Sequence, residues 1–394
     1  MWRSLELARS ELRLEFTLAC GQTFRWRETA EGHWTGVMGG RVWTLTQLDN
    51  RLWYYVYDSQ QDSTHRKWTE GDCGPETKYK VDVKVEENAD TEEEKLLRDY
   101  FQLHINVEEL YKDWGERDPH FKTLADTFSG VRMIRQDPIE CLFSFICSSN
   151  NHISRIQGMV ERLCQRLGNK LCQLDETFYH DFPSLSTLAE PSVEACLRDL
   201  GFGYRAKFLL QSAKTILDSH GPHWLSSLRN VPYHEARDAL RTLSGVGTKV
   251  ADCVCLMALD KHEAVPIDTH VWQIATRDYK FVSSHGQKTI TDKLHRDIGD
   301  FFRKLWGPYA GWAQSVLFCS DLKKFQNLKG RQQIRYQEER TKQVLQWKHV
   351  LTVQRHQSNL RAGPWRPHFY SSWASTSLRS SLHIHRLSSA PPPP

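Results

Sequence analysis

The stretch YHEARDALRTLSGVGTKVADCVCLMAL, residues 233–259, constrains the fold more than any other part of the chain. YHEARDALRTL carries Ala236, Leu240 and Leu243 on one helical face, and TKVADCVCLMAL does the same with Val250, Val254 and Met257. Only Ser244-Gly245-Val246-Gly247 joins them, too short for anything but a tight helix–helix turn. Glycine supplies the positive φ such a turn requires and leaves backbone N–H groups uncovered at the start of the second helix. Those groups and the positive end of the helix dipole together favour an anion. A nucleotide-binding P-loop would need G-x-x-x-x-G-K-[ST] after a strand, whereas here the order is G-V-G-T-K after a helix. A helix-hairpin-helix that grips a DNA backbone without reading sequence fits the pattern.

Lys249 follows the second glycine by two residues. It reads either as one more phosphate contact or as a nucleophile. The helix dipole disfavours an ammonium there and so helps the neutral amine, and Cys253 lies one turn along the same face. Nineteen residues on comes VPIDTHVW, in which Asp268 is placed to cap a helix starting near Thr269. Asp268 reads as a cap alone, or as the carboxylate that faces Lys249 and stabilises positive charge developing on a sugar. His270 reads as a partly buried histidine or as a site residue.

Around this core the organisation is α+β. Residues 11–57 read as an antiparallel β domain: RVWTLTQ and RLWYYVY are rich in β-branched and aromatic residues, and Gly39-Gly40 marks a hairpin turn. Residues 58–95, with EENADTEEEK, read as a charged connection that closes an N-terminal unit of 1–95. From 96 to 324 the pattern is helical, with the helix-hairpin-helix at 233–260. DPIECLFSFICSSNN is an apolar helix ending in a polar cluster, and VEACLRDLGFGYRAKFLLQSAKTILD reads as helix, glycine break, helix. Residues 325–394 form a basic tail expected to be disordered.

Charge is unevenly placed. Residues 321–394 hold thirteen Lys/Arg against three Asp/Glu, or +10 against +4 for the whole chain, so the rest is mildly acidic at −6. Any nucleic-acid site in the body must therefore be made locally. No apolar run reaches the ~20 residues of a membrane span, so no membrane partner is expected. The N-terminal MWRSLELARSELRLEF carries Glu6, Glu11 and Glu15 and lacks an apolar centre, so neither a secretory leader nor a clear mitochondrial presequence is expected. The ten cysteines form no C-x-x-C pair and read as reduced thiols.

The hairpin, its lysine and VPIDTH resemble the helix-hairpin-helix DNA glycosylase superfamily, and more closely the eukaryotic 8-oxoguanine DNA glycosylase/lyases. GQTFRWRE, RQDPIECLFSFICSSNN, LGFGYRAK, GVGTKVADC with CLMALDK, and LWGPYAGWAQSVLF stand in that family's order over about 11–322. The resemblance implies a bifunctional glycosylase/lyase of base-excision repair acting on duplex DNA with oxidised guanine opposite cytosine. It implies Lys249 as nucleophile and Asp268 as its electrostatic partner. It assigns Gly21, Cys253, Gln314 and Phe318 to the flipped base, and Asn150, Arg155, Tyr204 and Arg205 to the orphaned cytosine. Gly245, Gly247 and His270 fall to the DNA backbone. Taken without the family, Gly21 is an ordinary loop glycine, Cys253 and Phe318 are core, and Arg155 and Arg205 are solvated charges.

No cofactor and no metal are expected. Only Cys253, Cys255 and Cys319 follow residue 200, too few for the four-cysteine cluster of endonuclease III relatives. A monomer is expected, placed in the nucleus by its substrate, with a mitochondrial site left open. Two residues depart from the family pattern: Ser244 replaces a proline in the hairpin, and His152 stands where asparagine is usual. Two alternatives remain, a monofunctional glycosylase using activated water and a module that only holds DNA.

Overall fold

β4 (Arg41–Leu48) and β5 (Arg51–Tyr57) lie at the centre of the β domain. Asp49 and Asn50, at φ +51° and +56°, close the two-residue turn between them, and Gly39 and Gly40, at +58° and +69°, turn β3 (His33–Met38) into β4. Turns with both residues left-handed match the right-handed strand twist, which sets the register Val42↔Tyr57 and Val37↔Val42. With β1 (Arg3–Glu6) and β2 (Trp26–Ala30), the order is β1-β5-β4-β3-β2, antiparallel throughout. The computed structural model describes residues 1–57, 91–282 and 289–328. The connection expected over 58–95 lies outside the described residues as far as 90, and so does the basic tail from 329.

The β reading of residues 11–57 is corrected at its start. β1 precedes it, and residues 14–17 form a helical turn, α1 (Leu14–Thr17). The apolar alternation there has another cause. Leu12, Leu14 and Leu18 join the core under the sheet, while Phe16 and Cys20 join the core of the helical body. The segment is a seam between two cores, and its backbone bonds to Gly130 and to the Gln47 side chain rather than to a strand.

The acidic run is corrected too. Thr91 caps α2 (Glu92–Tyr100) by accepting from the Glu94 N–H at 3.2 Å, and Glu92, Glu93 and Glu94 fill its first turn. Carboxylates there are favoured by the helix dipole, so a charged stretch becomes a helix start. Leu97, Tyr100 and Phe101 cover the sheet core of Trp26, Trp43 and Leu45.

The helical body runs through α3 (Val107–Arg117), α4 (Pro119–Ala125), α5 (Pro138–Ile146) and α6 (Ile153–Leu167). A hairpin absent from the helical reading follows, β6 (Lys170–Leu174) with β7 (Thr177–His180). Its strands are too short to set a period, and Asp175 at φ +52° makes the turn. Then come α7 (Leu185–Leu188), α8 (Val193–Asp199), α9 (Arg205–Thr215), α10 (Trp224–Ser227), α11 (Tyr233–Leu240) and α12 (Thr248–Ala258). α13 (Thr269–Asp278), α14 (Asp292–Trp306) and α15 (Ala310–Asp321) complete it.

Within the hairpin only Gly245 is left-handed, at φ +77°, while Gly247 is extended at −91°. A Cβ on Gly245 would stand 2.6 Å from the Phe208 ring, so that glycine is required twice over. Val246 turns into the core, as does every α12 side chain from Val250 to Ala258. Leu243 is buried in the turn, beyond the end of α11. Ser244 donates from Oγ to Gln211 Oε1 at 3.0 Å and accepts from Ser212 Oγ at 2.8 Å through its carbonyl, so the turn is pinned to α9 without a proline. Asp292 braces it from α14, accepting from Thr248 Oγ1 at 2.8 Å and from Arg241 at 2.9 Å.

Candidate active site

α5 and α12 pack against one another and bring two sequence clusters together. Asp137 caps α5, accepting from the N–H groups of Ile139 and Glu140, and Pro138 occupies the first turn. The far end of the helix delivers Phe145, Ser148, Ser149 and Asn150. Lys249, in the first turn of α12, reaches this end: its Nζ donates to Ser148 Oγ at 3.1 Å and lies 5.2 Å from the Phe145 ring centroid. Neither partner was legible beforehand. The polar cluster after an apolar helix was the available signal.

Cys253 is buried below Lys249, and burial pushes its thiol up to about 11. The Lys249 charge opposes that rise and the Asp268 charge adds to it, so the three groups share one electrostatic neighbourhood. Asp268 caps α13, accepting from the Val271 N–H at 2.9 Å. Among the described residues, no ion pair of 4.0 Å or less joins it to Lys249. The carboxylate is half-buried, held by its own helix start and, among the described residues, in no ion pair. A negative charge so fixed can act on a cation that forms beside it.

Gly21 arrives from the seam after α1. It has φ +84°, and a Cβ there would stand 2.9 Å from Ile153 Cδ1 and 3.9 Å from Phe318 Cε1. Among the described residues no donor bonds its carbonyl. Gln314 and Phe318 sit one turn apart on α15, Gln314 buried and Phe318 partly open. The His270 ring meets Phe318 edge to face with centroids 6.0 Å apart, and its Nδ1 lies 3.8 Å from Asp321. Ile153 is a further wall residue that no sequence signal marked.

A third group stands at the start of α9. Arg205 is 4 % exposed, so it is not a solvated charge. It donates to the carbonyls of Ser149 and Asn150 and lies 4.6 Å over the Tyr204 ring. Its Nε is buried and has no hydrogen-bond partner among the described residues. Tyr204 is 49 % exposed, large for an aromatic ring, and its hydroxyl donates to Ser149 O at 3.3 Å. Asn150 is exposed at φ +47°. Arg155 differs: its side chain is exposed on the first turn of α6, and its N–H donates to His152 Nδ1 at 3.4 Å. His152 thus caps α6, the duty an asparagine would perform.

The N-terminus of α12 carries no side-chain cap at Gly247, and nothing lies within 4 Å of a Cβ placed there. Open backbone N–H groups with clear space in front suit a phosphate. Among the described residues no group of three or more His, Cys, Asp or Glu is placed to hold a metal ion, and no helix is long and apolar enough to cross a membrane.

Residues 4–142 match the family described as 8-oxoguanine DNA glycosylase, N-terminal domain, and residues 143–298 match the HhH-GPD superfamily base excision DNA repair proteins. The N-glycosylase/DNA lyase OGG1 of Arabidopsis thaliana is 39% identical over 325 residues, 82% of this chain and 80% of that protein. The N-glycosylase/DNA lyase of Saccharomyces cerevisiae is 34% identical over 345 residues, covering 81% and 85%. Among solved structures, the Clostridium acetobutylicum 8-oxoguanine glycosylase/lyase in complex with double-stranded DNA containing cytosine opposite 8-oxoG superposes with a TM-score of 0.63 at 26% identity, over 81% of this chain and 96% of that one.

Proposed function

The chain belongs to the 8-oxoguanine DNA glycosylase family, and we propose that it excises 8-oxoguanine opposite cytosine from duplex DNA and then nicks the strand. The observation that carries this reading is the amine of Lys249, bonded to Ser148 at the end of α5 and sharing one electrostatic neighbourhood with Cys253 and Asp268.

A base inside a duplex cannot present its sugar carbon, so the nucleotide is flipped out. Lys249 attacks C1′, and the glycosidic electron pair leaves with the base, which takes up a proton. Opening of the sugar gives a Schiff base. Loss of a C2′ proton and departure of the 3′ phosphate complete β-elimination. Asp268 stabilises the oxocarbenium-like transition state through its fixed charge.

Gly21 offers its carbonyl to N7–H of the oxidised base, where guanine presents a lone pair and is rejected. Cys253 and Phe318 sandwich the base, and Gln314 bonds its Watson–Crick edge. Asn150, Arg155 and Arg205 hold the orphaned cytosine, with Tyr204 wedged in the gap. Gly245, Gly247 and His270 meet the backbone phosphates. The enzyme works as a monomer, and its substrate places it in the nucleus.

The test is borohydride trapping on an 8-oxoguanine:cytosine duplex, with Lys249→Gln beside the wild type. A covalent adduct with wild type and none with the variant is expected, lesion binding being retained. Base release without an adduct would make this a monofunctional enzyme. Binding with neither would make it a DNA-holding module.

A further inference from the structure

The Gly21 carbonyl accepts no hydrogen bond among the described residues, and glycine leaves the chain before it free to turn. Its direction is therefore set from the other side, through the peptide bond it shares with Gln22. Gln22 is 1 % exposed, and such burial of an amide is tolerated only when its polar atoms are bonded. Its Nε2 donates to Thr17 O at 2.8 Å and to Arg132 O at 2.9 Å, and its Oε1 accepts from the Ile134 N–H at 3.0 Å. The Gln22 carbonyl in turn accepts from Gln136 Nε2 at 2.7 Å. Both ends of this residue are thus clamped.

The clamp continues to the helix that carries the lysine. Gln136, 4 % exposed, donates its backbone N–H to Met257 O at 2.9 Å, in the last turn of α12. Arg229 closes the loop, donating to Gln136 O at 3.1 Å and to Ala258 O at 2.9 Å. One path of short hydrogen bonds therefore runs from the peptide after Gly21 to the backbone of α12.

We infer that Gln22 and Gln136 are positioning residues that aim the Gly21 carbonyl at the base and hold it in register with the helix bearing Lys249. The inference rests on the proposed reading of Gly21. It assigns base selectivity to two buried amides that touch neither DNA nor lysine. The lysine stands at the opposite end of α12 from Met257, so the lyase step does not depend on this clamp.

The experiment compares wild type with Gln136→Met and Gln22→Met, nearly isosteric changes that remove one and four side-chain hydrogen bonds respectively, the fourth being the bond from Gln22 Nε2 to Cys20 Sγ at 3.6 Å. Single-turnover excision is measured on 8-oxoguanine:cytosine and guanine:cytosine duplexes, and nicking on a duplex with a pre-formed abasic site. Both variants are expected to lose about tenfold in 8-oxoguanine excision, with abasic nicking held within about twofold. In a Gly21→Ala background, Gln136→Met should add nothing further to the loss of selectivity, because both act through one carbonyl. Excision and nicking falling together, full additivity in the double variant, or no change in either activity would overturn the inference. Failure of both single variants to melt cooperatively would also overturn it, because the amides would then be staples of the fold. A wild type that nicks abasic DNA but leaves 8-oxoguanine in place would instead defeat the reading of Gly21 itself.

Discussion

Lys249 Nζ and Ser148 Oγ, 101 positions apart in the chain, lie 3.1 Å from one another. Ser148 gives its own hydroxyl hydrogen to Phe145 O at 2.7 Å, so its lone pairs face the amine. The serine is an acceptor locked in place by the end of α5, and it aims the lysine without competing for its lone pair through a second donor.

Ser148→Ala should therefore slow Schiff-base formation while leaving the fold intact. A hydrogen bond of about 1 kcal/mol corresponds to about fivefold in rate. Borohydride trapping under single-turnover conditions on an abasic duplex measures it. A rate equal to wild type would show that the packing of Phe145 and Cys253 aims the amine by itself.

Gly21→Ala puts a methyl group 2.9 Å from Ile153 Cδ1 at a φ of +84°, which is strained for any residue with a Cβ. Excision of 8-oxoguanine should fall about five- to a hundredfold, the range set by about 1–3 kcal/mol for a distorted buried hydrogen bond. Nicking of a pre-formed abasic site should fall much less. Equal loss in both assays would make Gly21 a residue of the fold and not of recognition.

Asp252, next to Cys253 on α12, is a buried carboxyl that Tyr233 reaches at 2.8 Å and His295 Nε2 at 3.4 Å. His295 Nε2 also accepts from the Ile267 N–H at 3.2 Å. Burial pushes the Asp252 carboxyl up to about 7 from 3.8, against the pull of Tyr233, Arg237, Arg303 and Arg241. Burial also pushes the His295 imidazole down to about 4 from 6.5, with Arg237, Arg303 and Arg241 adding to the fall and Asp292 opposing it. The folded state thus binds the Asp252 proton more tightly than the unfolded chain. Stability from this group is fully present below about pH 4 and lost as pH rises through about 7. His295 acts oppositely between about pH 4 and 6.5.

Asp252→Asn removes the first effect and keeps an acceptor for Tyr233. Relative to wild type the variant should gain stability as pH rises from about 4 to about 7, by at most about 1.4 kcal/mol per pH unit. Denaturant melts at about pH 5 and about pH 8 check this. A stability difference independent of pH would mean that Asp252 is ionised in the folded protein.

Removal of residues 329–394 should leave lesion preference largely unchanged and lower the salt dependence of non-specific DNA binding, because that segment holds eleven Lys/Arg against two Asp/Glu. The cut belongs after Leu328: Phe325 is buried, and its ring stacks edge to face on Phe16 with centroids 5.1 Å apart. Fluorescence anisotropy across a salt series gives the slope. An identical slope with and without the tail would show that it makes no contact with DNA.

What the sequence determined by itself is local. The α11–turn–α12 hairpin, the Asp268 cap of α13, the glycine break before α9 and the Gly39-Gly40 hairpin all follow from φ/ψ preference, capping chemistry and periodicity within a few residues. The same local logic misled at residues 11–25, where alternation reflects two cores on either side of one irregular segment. It also missed the start of α2, whose acidic first turn looks like solvated linker until Thr91 is seen to cap it. Only tertiary structure decided which distant groups meet. Gly21 lies against Ile153 and Phe318, Lys249 bonds Ser148, and Gln136 bonds a residue 114 positions away. Such contacts depend on how whole elements pack, and no propensity within a short window encodes them. The family resemblance assigned Gly21, Cys253, Gln314 and Phe318 to one base; it is packing that sets Gly21 beside Phe318 of α15 and lays α12, which carries Cys253, on α5.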